Sequence, residues 1–243
     1  MCIRDRYKRI YGNDVLVFSK DEVARYTDQF DNSSDRRGIL WARNVCWDLA
    51  RQMGYRYFVQ LEDDYTHWHY RRLGKGHRLS TSVEEEYHGW SMRSLDAVFD
   101  ALVRVIETTP VTTIALSQGG DHLGGEPRKQ RFKRKAMNSF VCSVDKPIRF
   151  RGRLNDDVTA YVSLGGTGTL FFTDMELQLD QLATQANSGG MSEVYRDSGT
   201  YAKSFYTVMA APSCTTIRIM GRSSQRLHHN IDWDKAVPKI LRQ

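Results

Sequence analysis

Apolar positions along the chain fall into short runs and longer periodic stretches, which predict alternating strands and helices. Val15-Leu16-Val17-Phe18 is an apolar run between polar turns, the pattern of a buried strand. Ile39, Ala42, Cys46, Leu49 and Met53 recur at helical spacing, and Gly54 supplies a stop. Tyr57-Phe58-Val59-Gln60-Leu61 follows as the next strand. Strand, helix and strand in succession make a βαβ unit and imply a parallel sheet. The stretch from Tyr65 to Tyr87 has no clean period and is expected as a long irregular excursion. Met92, Leu95, Val98, Phe99, Leu102, Val103 and Ile106 form the clearest amphipathic helix. Further strands are expected over 111–116, 140–142, 148–150, 170–172 and 216–220, with helices around Val158–Val162 and Ala202–Met209. The pattern is that of an α/β protein: one domain, a mostly parallel central sheet flanked by helices, no internal repeat and no linker.

Composition narrows the classes. The chain has 243 residues, 40% hydrophobic and 26% charged, enough for one large core. No apolar run approaches the roughly 20 residues that cross a bilayer, and no membrane partner is expected. The net charge of +6 favours an anionic partner. Cys2, Cys46, Cys142 and Cys214 are scattered without CxxC spacing, so reduced thiols and a cytoplasmic setting are expected. Met1-Cys2-Ile3-Arg4-Asp5-Arg6 reads as a translated sequencing adapter and is set aside. The domain is then expected over 7–243, without its first βα element.

Three constellations carry candidate chemistry. Glu62-Asp63-Asp64 stands at the carboxyl end of an expected strand, where open α/β sheets bind ligands. Adjacent carboxylates repel one another, and a cation such as Mg²⁺ or Mn²⁺ relieves that repulsion, with a substrate diphosphate filling further positions. Gly38-Ile39-Leu40-Trp41-Ala42-Arg43-Asn44 opens the helix that feeds this strand, and a helix N-terminus with an arginine suits a phosphate. Two basic groups, Arg128 to Lys135 with Phe132 and Trp68 to Arg78, have the composition of a nucleic-acid grip with aromatic stacking. Solvated loops have that composition too.

The order Gly-x-x-x-Ala-Arg-Asn, helix, hydrophobic strand and Glu-Asp-Asp resembles a GT-A glycosyltransferase. Within that class it resembles the TET-associated glycosyltransferase family of phages. The likeness continues through Arg134-Lys135-Ala136-Met137-Asn138-Ser139-Phe140, Phe150-Arg151-Gly152, Asn155-Asp156-Asp157-Val158 and His228-His229-Asn230-Ile231-Asp232-Trp233. It implies a GT-A, Rossmann-like domain. Gly38, Arg43, Asn44, Glu62 and Asp63 would hold the nucleotide-sugar donor. Asp64 would be the direct metal ligand, with His229, or its neighbour His228, completing the metal shell. Asp157 would be the catalytic base, and Asp156 suits the cap of the following helix. Arg131, Lys133, Arg134, Lys135, Trp68 and Arg72 would meet a DNA acceptor. The chain departs from the family pattern in beginning the triplet with Glu and in showing no opening strand before Tyr7-Lys8-Arg9.

The resemblance therefore implies a metal-dependent, inverting transfer of a sugar from a nucleotide diphosphate sugar, UDP-glucose first among candidates. The acceptor would be a hydroxymethylated pyrimidine in phage DNA, in the host cytoplasm. A polysaccharide or protein acceptor is the first alternative. A metal-dependent nuclease or nucleotidyltransferase, which would favour two metals, and a non-catalytic DNA-binding module are the others.

Overall fold

The computed structural model describes residues 3–73, 77–78, 87–122, 131–135, 139–182, 193–194, 201–221 and 225–238. In chain order these form α1 (Ile3–Tyr11), α2 (Lys20–Ala24), α3 (Leu40–Gln52), β1 (Tyr57–Gln60), β2 (Tyr65–Leu73), β3 (His77–Arg78) and β4 (Tyr87–Ser91). Next come α4 (Asp96–Thr108), β5 (Val111–Ser117), β6 (Phe140–Ser143), α5 (Asp156–Gly165) and β7 (Leu170–Gln181). The last are α6 (Ala202–Ala210), β8 (Thr215–Met220), β9 (Arg226–Ile231) and α7 (Trp233–Ala236). Seven strands make one sheet in the order β1-β6-β5-β7-β2-β4-β3, and β8 and β9 form a separate hairpin.

The sheet is mixed, which corrects the expectation of a mostly parallel one. Among the described residues only β5 and β7 pair in parallel; every other neighbouring pair is antiparallel. Two local features misled the pattern. The run Val15–Phe18 is not a strand, and Leu16 and Val17 are 49% and 51% exposed. Among the described residues no βαβ unit therefore forms around α3, and β1 pairs with β6 alone. The stretch after Tyr65 is not an irregular excursion either. Residues 65–73 and 87–91 pair as long sheet strands, while 74–76 and 79–86 lie outside the described residues. Aromatic and basic side chains on both faces hid the period of two. Residues 148–150 were expected as a strand but form no ladder; Ile148 and Phe150 are buried as loop side chains.

Helices cover both faces because the inner strands carry apolar residues on both of them. Ala115, Phe140, Cys142 and Phe171 face α3 and α5, meeting Leu40, Trp41, Trp47 and Tyr161. Ile114, Leu116, Val141 and Leu179 face α4, meeting Val98, Leu102 and Ile106. α3 ends as expected, with Gly54 in the left-handed region at φ +76. Cys46, Cys142 and Cys214 are free thiols. No described helix is long and apolar enough to cross a membrane.

Near the chain's end, α7 packs so closely on α5 that a β-carbon on Gly165 would lie 2.3 Å from the Ala236 carbonyl oxygen. Backbone, not a flexible side chain, stands in the way. Gly165→Ala is expected to cost about 1–3 kcal/mol of stability, as overpacked interiors do. Urea unfolding checks this; an unchanged midpoint would show that α7 shifts freely.

Candidate active site

Several elements converge on one edge of the sheet. β6 is antiparallel to both β1 and β5, so β1 and β5 point the same way, and β5 is parallel to the start of β7. Their carboxyl ends share an edge. α3 leads into the start of β1 and α5 into the start of β7, so both helices present their N-termini at that edge. Glu62-Asp63-Asp64 after β1 and Asn155-Asp156-Asp157 at the start of α5 thereby come together.

A cleft of about 710 Å³ opens beside the triplet. It is lined by Glu62, Asp63 and Asp64 together with Lys20, Asp35, Arg36, Arg37, Gly38, Ile39 and Leu61. Lys20 Nζ donates to the carbonyls of Arg36 (2.9 Å) and Gly38 (3.2 Å), pinning the turn that enters α3. Gly38 sits there at φ +114, which glycine tolerates without strain. Lys20 and Arg36 also lie 5.6 and 5.7 Å over the ring of buried Trp41. Burial pulls the Lys20 amine below its ordinary range. Ile39 provides no side-chain cap for α3. Positive side chains and uncapped amides thus share a cleft with carboxylates.

The carboxylates are held by neutral and cationic neighbours. Gln181 Nε2 donates to both Asp64 oxygens at 2.9 Å and reaches Glu62 Oε2 at 3.4 Å. Tyr7 donates to Asp63 Oδ2 at 3.0 Å. Arg43 Nη2 donates to Glu62 Oε1 at 2.8 Å.

Arg43 is the electrostatic hub. It is 3% exposed, and its guanidinium lies 5.0 Å from the Phe140 ring and 5.3 Å from the Phe150 ring. Its Nε is 2.9 Å from Asp156 Oδ2, off the N–H axis, so this contact is ionic rather than a hydrogen bond. Burial raises the Asp156 carboxyl above the ordinary range against the pull of Arg43. Asp156 is thus a buried partner of Arg43. The residue before α5 is Asn155, left-handed at φ +58, whose amide donates to Thr207 Oγ1 at 2.5 Å. Asp157, with its side chain 15% exposed, lies 3.2 Å from Lys135 Nζ. Burial alone would raise Asp157, but Lys135 and Arg43 outweigh it and hold the carboxyl below its ordinary range.

A family model for TET-associated glycosyltransferases matches residues 3–190. The chain belongs to this family. It is therefore an enzyme, a glycosyltransferase, which works on a nucleotide-sugar donor and an acceptor. No curated protein and no solved structure matches the chain.

The remaining residues expected to act in this glycosyltransferase are dispersed. Asn44 is 1% exposed; its amide donates to Phe150 O and Thr27 Oγ1 and accepts from Phe150 N, tying α3 to the 148–150 loop. His229, on β9, has Nδ1 3.5 Å from Asn155 Nδ2, and its ring centroid lies 4.2 Å from that of His228, the planes tilted by 43°. Burial and the neighbouring His228 push it down to about 4. It stands on the Asp157 side of the site, and no three His, Cys, Asp or Glu side chains gather as a metal cage among the described residues. The basic run is largely neutralised in place. Arg131 pairs with Glu176 (2.8 Å), Lys133 with Asp234 (2.5 Å), Arg134 with Asp121, and Lys135 with Asp157. Arg128 and Lys129 lie outside the described residues. Trp68 packs edge-on against Phe99 of α4, with centroids 5.8 Å apart. Arg72 lies over Tyr70, seven residues along β2 from Tyr65 at the site edge, roughly 20 Å away at strand rise.

Sequence reasoning missed Lys20, Arg36, Arg37 and Gln181. The Arg36-Arg37-Gly38 order before a helix start was a usable signal for the first group. Nothing in the local pattern marks Gln181, which reaches Asp64 only because β7 pairs with β2 at Tyr65.

Proposed function

We propose that the cleft holds the diphosphate of a nucleotide sugar, UDP-glucose first among candidates, and that Asp157 deprotonates the acceptor hydroxyl. The observation that carries this reading is the meeting at one sheet edge of a mixed acidic and basic cleft with an ionised, partly exposed carboxylate. Arg36 and Arg37 would meet phosphate oxygens, along with the amides at the start of α3. Arg43 would act indirectly, by holding Glu62 toward the cleft.

The hard oxygens of Asp63 and Asp64 suit Mg²⁺ or Mn²⁺. Two carboxylates suffice where diphosphate oxygens and water complete the shell. A bound divalent ion would neutralise charge on the departing diphosphate. His229 would serve beside Asp157 and Asn155. Asp157, ionised by its cationic neighbours, accepts the hydroxyl proton as the acceptor oxygen attacks the anomeric carbon from the face opposite the diphosphate. One displacement inverts that carbon.

On the resemblance of the motif order, DNA is taken first as acceptor, specifically a hydroxymethylated pyrimidine. Radiolabelled UDP-glucose, Mn²⁺ and hydroxymethylcytosine-containing DNA test the reading directly. Label in the DNA is expected; label only in a polysaccharide or protein would move the acceptor class. Asp64→Asn is expected to weaken Mn²⁺-dependent UDP binding by tenfold or more, about 1.4 kcal/mol, in calorimetry. Equal affinity with and without the substitution would remove Asp64 as a ligand.

A further inference from the structure

The β8–β9 hairpin exposes aliphatic surface that its own packing does not use. Ile219 is 66% exposed, Met220 47% and Leu227 40%. Ile219 pairs across the ladder with Leu227 and Ile217 with His229, while Arg218 pairs with His228 and Met220 with Arg226. Directly opposed residues project to the same side of an antiparallel ladder. One face is therefore an aliphatic ridge that runs to His229. The other carries two exposed arginines.

The root of the hairpin is at the active edge. The His229 amide donates to Ser204 Oγ at 3.1 Å, and its ring meets Asn155, two residues from Asp157. The Ile219–Leu227 rung lies two residues beyond His229, about 7 Å at strand rise. Lys135, Lys203 and Arg226 are electrostatic neighbours on this flank, so positive side chains outnumber the Asp157 carboxylate. An anionic polymer lying here would find both charge and an aliphatic edge. A base inside a duplex cannot present its hydroxymethyl group to a carboxylate only 15% exposed without leaving the stack. Aliphatic side chains that enter a base step unstack it, and arginines hold the flanking phosphates.

We propose that the β8–β9 hairpin is the element that opens double-stranded DNA. Ile219 and Leu227 enter the base stack, Arg218 and Arg226 hold the backbone, and the extruded nucleotide is delivered to Asp157. This rests on DNA being the acceptor.

The test uses the full chain and compares duplex with single-stranded oligonucleotides, each carrying one hydroxymethylcytosine. The Ile219→Ser/Leu227→Ser variant is expected to lose duplex transfer by at least about tenfold, because unstacking a step costs a few kcal/mol. Transfer to the single strand and binding of UDP stay at the wild-type level, which also shows that the variant is folded. A 2-aminopurine beside the target base brightens with the wild type and not with this variant. The Arg218→Ala/Arg226→Ala variant reduces the salt dependence of duplex binding by a slope of about 2. Equal losses on both substrates, or unchanged duplex transfer, overturn the proposal. So does a wild type that modifies only single strands. A variant that keeps duplex transfer but sediments as a smaller species assigns the ridge to a contact between copies. If the wild type labels no DNA, the acceptor reading itself fails; if it labels duplex DNA and the variants match it, only the hairpin's role fails.

Discussion

Asp157→Asn is expected to abolish transfer while leaving the donor bound. The substitution keeps the shape of the side chain at the start of α5 and removes its ability to take a proton. General bases contribute about 10²–10⁴-fold, so kcat should fall by that factor. UDP binding should change little, because the cleft residues lie after β1 and before α3. Single-turnover kinetics with labelled donor, alongside calorimetry with UDP, separate the two. Turnover within a few-fold of wild type would remove Asp157 as the base. A second substitution tests the same assignment by its pH dependence. Lys135 stands 3.2 Å from Asp157 and lowers its carboxyl. In Lys135→Met that support is lost and burial raises the carboxyl. A base must be ionised to work, so the acid limb of the kcat profile moves to higher pH. Activity at low pH falls first, and activity well above the new value recovers. A limb that stays in place, or moves to lower pH, would show that another group controls the rate.

Arg43→Met is expected to be the most damaging change to the fold. The guanidinium is buried between Glu62 and Asp156, under two aromatic rings. Removing it leaves Asp156 as an uncompensated buried carboxylate, and breaking such a pair costs about 3–5 kcal/mol. The pH dependence has a definite sign. Asp156 already sits above its ordinary range, and without Arg43 it rises further. A raised carboxyl contributes stability that is present at low pH and lost as pH rises through its folded value. The deficit of the variant is therefore largest at neutral pH and above, and shrinks as the pH is lowered toward the ordinary carboxylate range. Chemical unfolding at pH 5 and pH 8 measures it. A deficit independent of pH would mean that Asp156 is not the stranded partner. The double variant Arg43→Met/Asp156→Asn should recover part of the loss, because it removes the charge together with its partner.

Both residues were visible in the chain as written, but in different senses. The acidic triplet after an apolar strand, the helix that feeds it and the Asn-Asp-Asp step before another helix are local patterns, and each stands where expected. They are local because a helix or strand declares itself by the spacing of its own apolar residues. The family match spans residues 3–190, the part of the chain that holds those patterns. What each polar side chain touches is not local. Arg43 reads as a phosphate contact near a helix start, yet it is buried against Phe140 and Phe150. The basic run of 131–135 reads as a grip for an anion, yet its described members each face a carboxylate brought from elsewhere in the chain.

The sequence alone carried the α/β pattern, the acidic motif at a strand end and the likeness to a glycosyltransferase family. Periodicity and motif order are properties of neighbours along the chain. Only the tertiary structure decided that the sheet is mixed, because strand direction depends on which segment slots beside which, and β6 returns between β1 and β5. It also decided that Lys20, Arg36 and Arg37 meet the triplet in one cleft, and that the hairpin of β8 and β9 rises beside Asp157. Those contacts join segments far apart in the chain, and no spacing within either segment encodes the distance between them.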